Sequence, residues 1–163
     1  MNGTSFYKCL LRCLSLILVM MNSSCEETDV CDQMVSPRLN IVFKDVRGDA
    51  LVLDTLYVYR DGNRSPEVMM HKSDSLHIAL NADKNETRFE FRRKEDAPLG
   101  EILITAKNRE RQYISIACGF KQFYKDVTYD QYQYKLGEIE RVIGLQSEIV
   151  DESSPHLEIR WQD

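Results

Sequence analysis

The chain has 163 residues, 43% apolar and 29% charged, with a formal net charge of −5 at neutral pH. That apolar share is enough for one folded core, so disorder over most of the length is excluded. The acidic balance argues against nucleic acid and against anionic headgroups as partners, so any membrane attachment must come from something other than a basic patch.

Residues 1–24 read as an export signal. Lys8 and Arg12 are their only charges, residues 14–21 form a compact apolar run, and Asn22, Ser23 and Ser24 lead into Cys25. The run is well short of the ~20 residues that span a bilayer, and no later stretch is long enough either; a retained anchor helix is the competing reading. Small residues directly before Cys25, with the polar run Glu26-Glu27-Thr28-Asp29 after it, form the arrangement a lipoprotein signal peptidase cleaves. Asn22 departs from the aliphatic residue usual three positions before such a cysteine. Lipidation of Cys25 is the expectation, with a chance cysteine after a plain secretory signal as the alternative. Two or three acyl chains on one residue hold a protein stably at a membrane, where a single chain binds only marginally. The expected address is the cell envelope, lipid-anchored, at the outer membrane. The acidic run resembles an export tag for surface display but reads equally as a solvated linker, so periplasmic and surface-exposed placements both stand.

After this acidic tether, residues 25–36, a single all-β domain is expected over 37–163. Leu39, Ile41 and Phe43 alternate with Arg38, Asn40, Val42 and Lys44 in a half-buried strand, and residues 45–49 with Gly48 turn the chain. Residues 51–60 form a Val-, Leu- and Tyr-rich strand ending at Asp61-Gly62-Asn63, a strong turn signal. Leu76, Ile78 and Leu80 alternate, residues 81–85 turn, and Phe89 and Phe91 share a face of the strand 87–93. Pro98-Leu99-Gly100 leads to a strand over 101–107, residues 108–110 turn, and residues 111–118 carry Ile114, Ile116 and Cys118 on one side. Tyr132, Tyr134 and Leu136 share one face of a later strand. Residues 138–150 allow a helix, but Gly144 weakens it and a strand is preferred. A polar turn at 151–155 precedes a last strand over 157–161. Short strands at this spacing predict an antiparallel β-sandwich, with a small β-barrel as the alternative.

Of the five cysteines, Cys9 and Cys13 leave with the signal and Cys25 takes the lipid. The even remainder, Cys31 and Cys118, suggests one disulfide in an oxidising compartment; a buried free thiol at Cys118 with a loose one at Cys31 is the other reading. His71, His77 and His156 have no cysteine or carboxylate at metal-ligand spacing and read as surface residues, so no metal and no cofactor is expected. Cys118 within an apolar alternation would disfavour a thiolate, and neither a phosphate loop nor a nucleophile elbow is present. Arg88, Arg92, Arg93 and Lys94 beside Glu90, Glu95 and Asp96 read as a solvated strand face. The expectation is a non-enzymatic structural or interaction module whose partner is an envelope protein or a glycan. The alternative is an accessory lipoprotein binding glycan or peptide through the aromatic stretch 120–134, with Tyr129, Tyr132 and Tyr134 as the candidate binding surface.

A signal ending in Ser-Ser-Cys, Cys31 close behind, Pro37-Arg38-Leu39 entering a strand, and above all the run Ala117-Cys118-Gly119-Phe120-Lys121 resemble a domain-of-unknown-function family of small Bacteroidota lipoproteins. The resemblance covers most of the chain after residue 24. It implies an all-β envelope lipoprotein and supplies no activity. Cys31 and Cys118 stand at the family's two cysteine positions, and the resemblance favours a hairpin over 138–161.

Overall fold

The computed structural model describes residues 36–131 and 137–162, and every regular element among them is a β-strand. In chain order they are β1 (Leu39–Lys44), β2 (Leu53–Arg60), β3 (Val68–Ser73), β4 (Ser75–Ile78), β5 (Glu86–Arg92), β6 (Gly100–Ser115), β7 (Gly119–Gln131), β8 (Ile139–Gly144) and β9 (Leu157–Trp161). Two sheets pack together, ordered β4-β1-β9-β8 and β3-β2-β5-β6-β7, and one curls strongly into a half-barrel. The sheets also join at both edges. At one edge the chain passes from β3 to β4 across Asp74, with Lys72 at φ 47° turning the corner. At the other, Tyr124 N–H donates to Ile149 O (3.2 Å) and Ile149 N–H returns the bond to Tyr124 O (2.8 Å). A sandwich closed in this way is also a small barrel, so both architectural expectations describe the molecule.

The alternation read from the sequence sets the inward faces. Leu39, Ile41 and Phe43 of β1, Phe89 and Phe91 of β5, Ile102, Ile104 and Ala106 of β6, and Leu157, Ile159 and Trp161 of β9 are all buried. Phe43 and Trp161 meet edge-on with ring centroids 6.4 Å apart, the arrangement that brings a positive ring edge to a negative ring face.

Four features depart from the expected pattern. The β1·β9 pair is parallel, Ile41 opposite Leu157 and Phe43 opposite Ile159. Almost the whole domain separates these strands in sequence, so no tight turn forces them to run opposite ways. β3 was not foreseen: Val68 and Met70 pack against the core, but Met69 between them is apolar and 56% exposed, so the sequence shows no clean alternation. No turn forms at 108–110; β6 and β7 pair from Ile102↔Gln131 to Ser115↔Gly119 as one long hairpin. Its outer half extends past the core, so its residues need no apolar period. Cys118 therefore lies in the turn after Ser115 and not in a strand, its N–H donating to Ser115 Oγ (3.1 Å). The strand expected around Tyr132, Tyr134 and Leu136 lies outside the described residues. Within 138–150 a strand does form, β8, over the first part of the stretch only, followed by the short pairing at Ile149.

Candidate functional site

Strands that bury their odd-numbered residues in β1 and β9 must turn the even-numbered ones outward. Asn40, Val42 and Lys44 of β1, Ser75 and His77 of β4, and Glu158 of β9 accordingly line one cleft with a volume of about 370 Å³. Leu145 and Pro155, from the segment joining β8 to β9, form part of its wall. That segment pairs with β7 through Ile149 and reaches β4 through Glu152, so it straps the end of the four-stranded sheet.

Glu152 is the hub of the strap. Its Oε1 accepts from Arg38 N–H (2.8 Å) and Nε (3.1 Å), and its Oε2 accepts from Arg38 Nη2 (3.0 Å) and His77 Nδ1 (3.0 Å). Burial pushes this carboxyl up, but the hydrogen bonds from Arg38 and His77 outweigh it and hold it at about 2. With Nδ1 committed to a carboxylate, His77 keeps Nε2 as its remaining polar atom.

His156 corrects the surface reading of the histidines: it is 1% exposed. Its main-chain N–H donates to Asn40 O (2.8 Å), and its Nδ1 accepts the Asn40 N–H (3.0 Å). This side chain completes the β1·β9 ladder where β9 has not yet begun, which requires an unprotonated Nδ1. Burial lowers its pKa, against the raising effect of Asp151. His77 keeps the outward position expected of it, and His71 is likewise exposed, at hydrogen-bonding distance from Thr55 Oγ1.

Asn40 itself is 8% exposed, and its Nδ2 reaches Glu152 O at 3.4 Å while Oδ1 has no protein donor. Around it, Lys44 Nζ pairs with Glu158 Oε2 (2.9 Å) and Arg160 Nε with Glu158 Oε1 (2.8 Å). The cleft thus holds the ion pairs of Glu158 with Lys44 and Arg160, the Asp74 carboxylate and some apolar wall, while the unpaired Asn40 Oδ1 is itself buried. Nothing in the sequence marked Asn40: it reads as one more polar residue on a solvated face, and only the strap folding back over that face buries it.

The residues singled out from the sequence do not converge on this cleft. Cys25, Cys31, Tyr132 and Tyr134 lie outside the described residues. Cys118 is not without a partner. Tyr129 is half-buried against the core, its ring lies over Gly144 and its hydroxyl donates to Gln146 O (3.0 Å), with burial raising its pKa. Tyr124 is buried as well. Of the aromatic stretch, Phe120 is exposed, edge-on to Tyr113 across the β6–β7 hairpin with centroids 5.5 Å apart. The basic cluster behaves as a strand face: Arg88 pairs with Glu101 across β5·β6 (3.0 Å), Arg92 sits over the Tyr59 ring, and Arg93 Nε lies 3.5 Å from Glu138. No group of three or more His, Cys, Asp or Glu able to hold a metal occurs among the described residues.

Compared with known proteins, residues 47–160 match a family of unknown function, DUF6452. No curated protein and no solved structure matches the chain.

Proposed function

The chain belongs to the DUF6452 family, a family of unknown function, and from that starting point we propose that it is a lipid-anchored envelope lipoprotein, a non-enzymatic binding or structural module held at the outer membrane through Cys25. The observation that carries this reading is the arrangement Ser23-Ser24-Cys25 after an apolar run and before four polar residues. The all-β domain fits the role, because the Glu152 carboxylate and the buried His156 are spent on holding strands together. The likeness of residues 117–121 to small Bacteroidota lipoproteins supports the same address.

A Cys31–Cys118 disulfide belongs to this proposal. It would tie the tether to the far end of the β6–β7 hairpin, and closing a loop of that span is worth about 4–5 kcal/mol in the chain-entropy account.

The test is the intact mass of the protein extracted from membranes, with and without reduction. The expected species begins at Cys25, carries acyl chains, and gains two protons on reduction. A Cys25→Ser variant should lose acylation and leave the membrane fraction. A variant that still partitions and is processed like the parent would falsify the anchor. Protease shaving of intact cells then distinguishes surface display, in which the domain is digested, from a periplasmic location, in which it survives.

A further inference from the structure

We propose that the tip of the β6–β7 hairpin is a second membrane contact, seating Tyr113, Ile116 and Phe120 in the headgroup layer of the lipid surface that carries the anchor. It rests on the lipid anchor at Cys25 proposed above, and adds to it a fixed orientation of the domain.

Three observations lead to it. First, large apolar side chains gather in the open at this tip. Among the described residues, Ile116 (92%), Phe120 (58%) and Tyr113 (54%) are exposed and stand together here. Tyr113 and Phe120 face each other across the hairpin, and Ile116 lies in the turn between their strands. The outer half of the hairpin extends past the core, so burial within the domain does not account for them. Apolar groups that cluster in the open mark an interaction surface, and aromatic rings are favoured at membrane interfaces.

Second, the tether begins beside this hairpin. Ser36 Oγ accepts the N–H of Gln122 (3.1 Å), so the chain enters the domain alongside the outer half of β7. Gln122 pairs with Arg111, five residues short of Ile116, which at the rise of a strand is roughly 17 Å. Eleven residues lead from Cys25 to Ser36, and a chain of that length reaches at most about 40 Å when extended. Acyl chains on Cys25 and the hairpin tip can therefore meet one membrane plane with chain to spare. The Cys31–Cys118 disulfide proposed above would bring the anchor within six residues of the hairpin turn.

Third, the charge behind the tip is opposite to that of the chain. Residues 107–125 carry Lys107, Arg109, Arg111, Lys121 and Lys125 against one carboxylate, Glu110, although the chain as a whole is acidic. The apolar side chains lead the contact, and the cations behind them meet the phosphates of the headgroup layer. A purely apolar protein surface would meet the rings and leave the cations without counterpart. The depth is limited as well: the turn at 116–118 has backbone groups that hydrocarbon cannot satisfy, so the tip stops at the headgroup boundary.

The experiment takes the full chain extracted from membranes and reconstitutes it in phosphatidylcholine vesicles, with and without brominated acyl chains, which quench tryptophan on contact. Phe120→Trp should lose most of its added emission in the brominated vesicles. Val52→Trp should keep its emission, because Val52 is exposed just before β2, whose opposite end, Arg60, is the one level with Ile102 of β6 through Phe89. Trp161, buried in the core, should be unquenched in every variant. Adding Ile116→Glu to Phe120→Trp should reduce the quenching severalfold and leave the thermal midpoint in detergent unchanged. If Phe120→Trp fails to fold, Tyr113→Trp reads the same tip. Flotation of the same vesicles separates the two readings. A chain that does not float with them fails the anchor and this contact together, whereas one that floats with Phe120→Trp unquenched overturns the contact alone. Equal quenching of Val52→Trp would overturn it too. So would a blue-shifted, unquenched emission of Phe120→Trp that grows with the protein-to-lipid ratio, which would assign the tip to a second copy of the chain.

Discussion

His156 and Glu152 show how a single side chain can stand in for missing backbone pairing, and both do so in one protonation state. His156 must keep Nδ1 bare to accept the Asn40 N–H, and burial favours that neutral form. Its folded pKa lies below the ordinary 6.5, so the unfolded chain takes up the proton first. The contribution of His156 is therefore complete above pH 6.5 and declines as the pH falls through its lowered value. Glu152 adds a second step: ionised above its ordinary 4.5 and held down to about 2 in the fold, it supports the structure until the pH drops through that interval. The thermal midpoint should accordingly fall in two stages on acidification. In a His156→Gln variant, whose amide oxygen accepts the same N–H without titrating, the first stage should vanish while the second remains. A first stage that persists unchanged in this variant would assign it to another group. Tyr129 carries a different constraint. A Cβ on Gly144 would come within 2.6 Å of the Tyr129 ring, so Gly144→Ala should cost about 1–3 kcal/mol by forcing that ring to move. Tyr129→Phe should cost only about 1 kcal/mol, the hydrogen bond to Gln146. Chemical denaturation of the two variants checks the order, and Gly144→Ala being the milder would break the argument.

Among the elements, the β6–β7 hairpin shows where alternation in the sequence informs and where it cannot. Ile102, Ile104 and Ala106 are legible because they are buried, whereas residues 107–113 are exposed throughout, and within them 108–110 read as a turn. The register is kept across this point, but the buried positions of β7 pass from Val127 to Tyr124 and Gln122 across Asp126, which has φ 51° and takes a hydrogen bond from Asn108 Nδ2. A change of parity in mid-strand defeats any reading based on a period of two. Ile116, read on one side of a strand with Ile114 and Cys118, lies in the hairpin turn and is 92% exposed. β1, β5 and β9 were legible because each has one wholly buried side. β3 was not, because the apolar Met69 stands exposed between Val68 and Met70, which pack against the core. The energetic corollary is that the outer hairpin contributes little to global stability. Ile116→Ser should change it by less than about 0.5 kcal/mol. Amides of residues 108–113 should exchange through local openings at free energies well below those of 101–106, as expected of backbone bonds lacking apolar cover. Equal protection along the whole of β6 would contradict this division.

At the scale of the whole molecule, the two sheets depend on strands from opposite ends of the domain. β9 lies between β1 and β8, and with it go two ladders and three buried apolar side chains, Leu157, Ile159 and Trp161. The resulting pairing is non-local: β1 finds β9 only after the intervening strands have been gathered, and such topologies fold slowly, with loop-closure entropy spent before the contact forms. The candidate cleft inherits the dependence, because its floor is β1, one wall residue is Glu158, and its strap runs directly into β9. Cleft and core should therefore be lost together. Trp161 is the only tryptophan and is 1% exposed, so its emission reports directly on this junction. Trp161→Ala removes the partner of Phe43 and opens a void in the middle of the core, a change that costs about 3–5 kcal/mol in comparable sites. That is a large part of the ~5–15 kcal/mol available to a domain. Ending the chain after residue 156 should go further and abolish the cooperative thermal transition, because β1 and β8 would each lose their ladder to β9. A truncated chain that melts cooperatively near the parent midpoint would show that the five-stranded sheet sustains the fold by itself, and the cleft would then have to be reconsidered as a separate, dispensable layer.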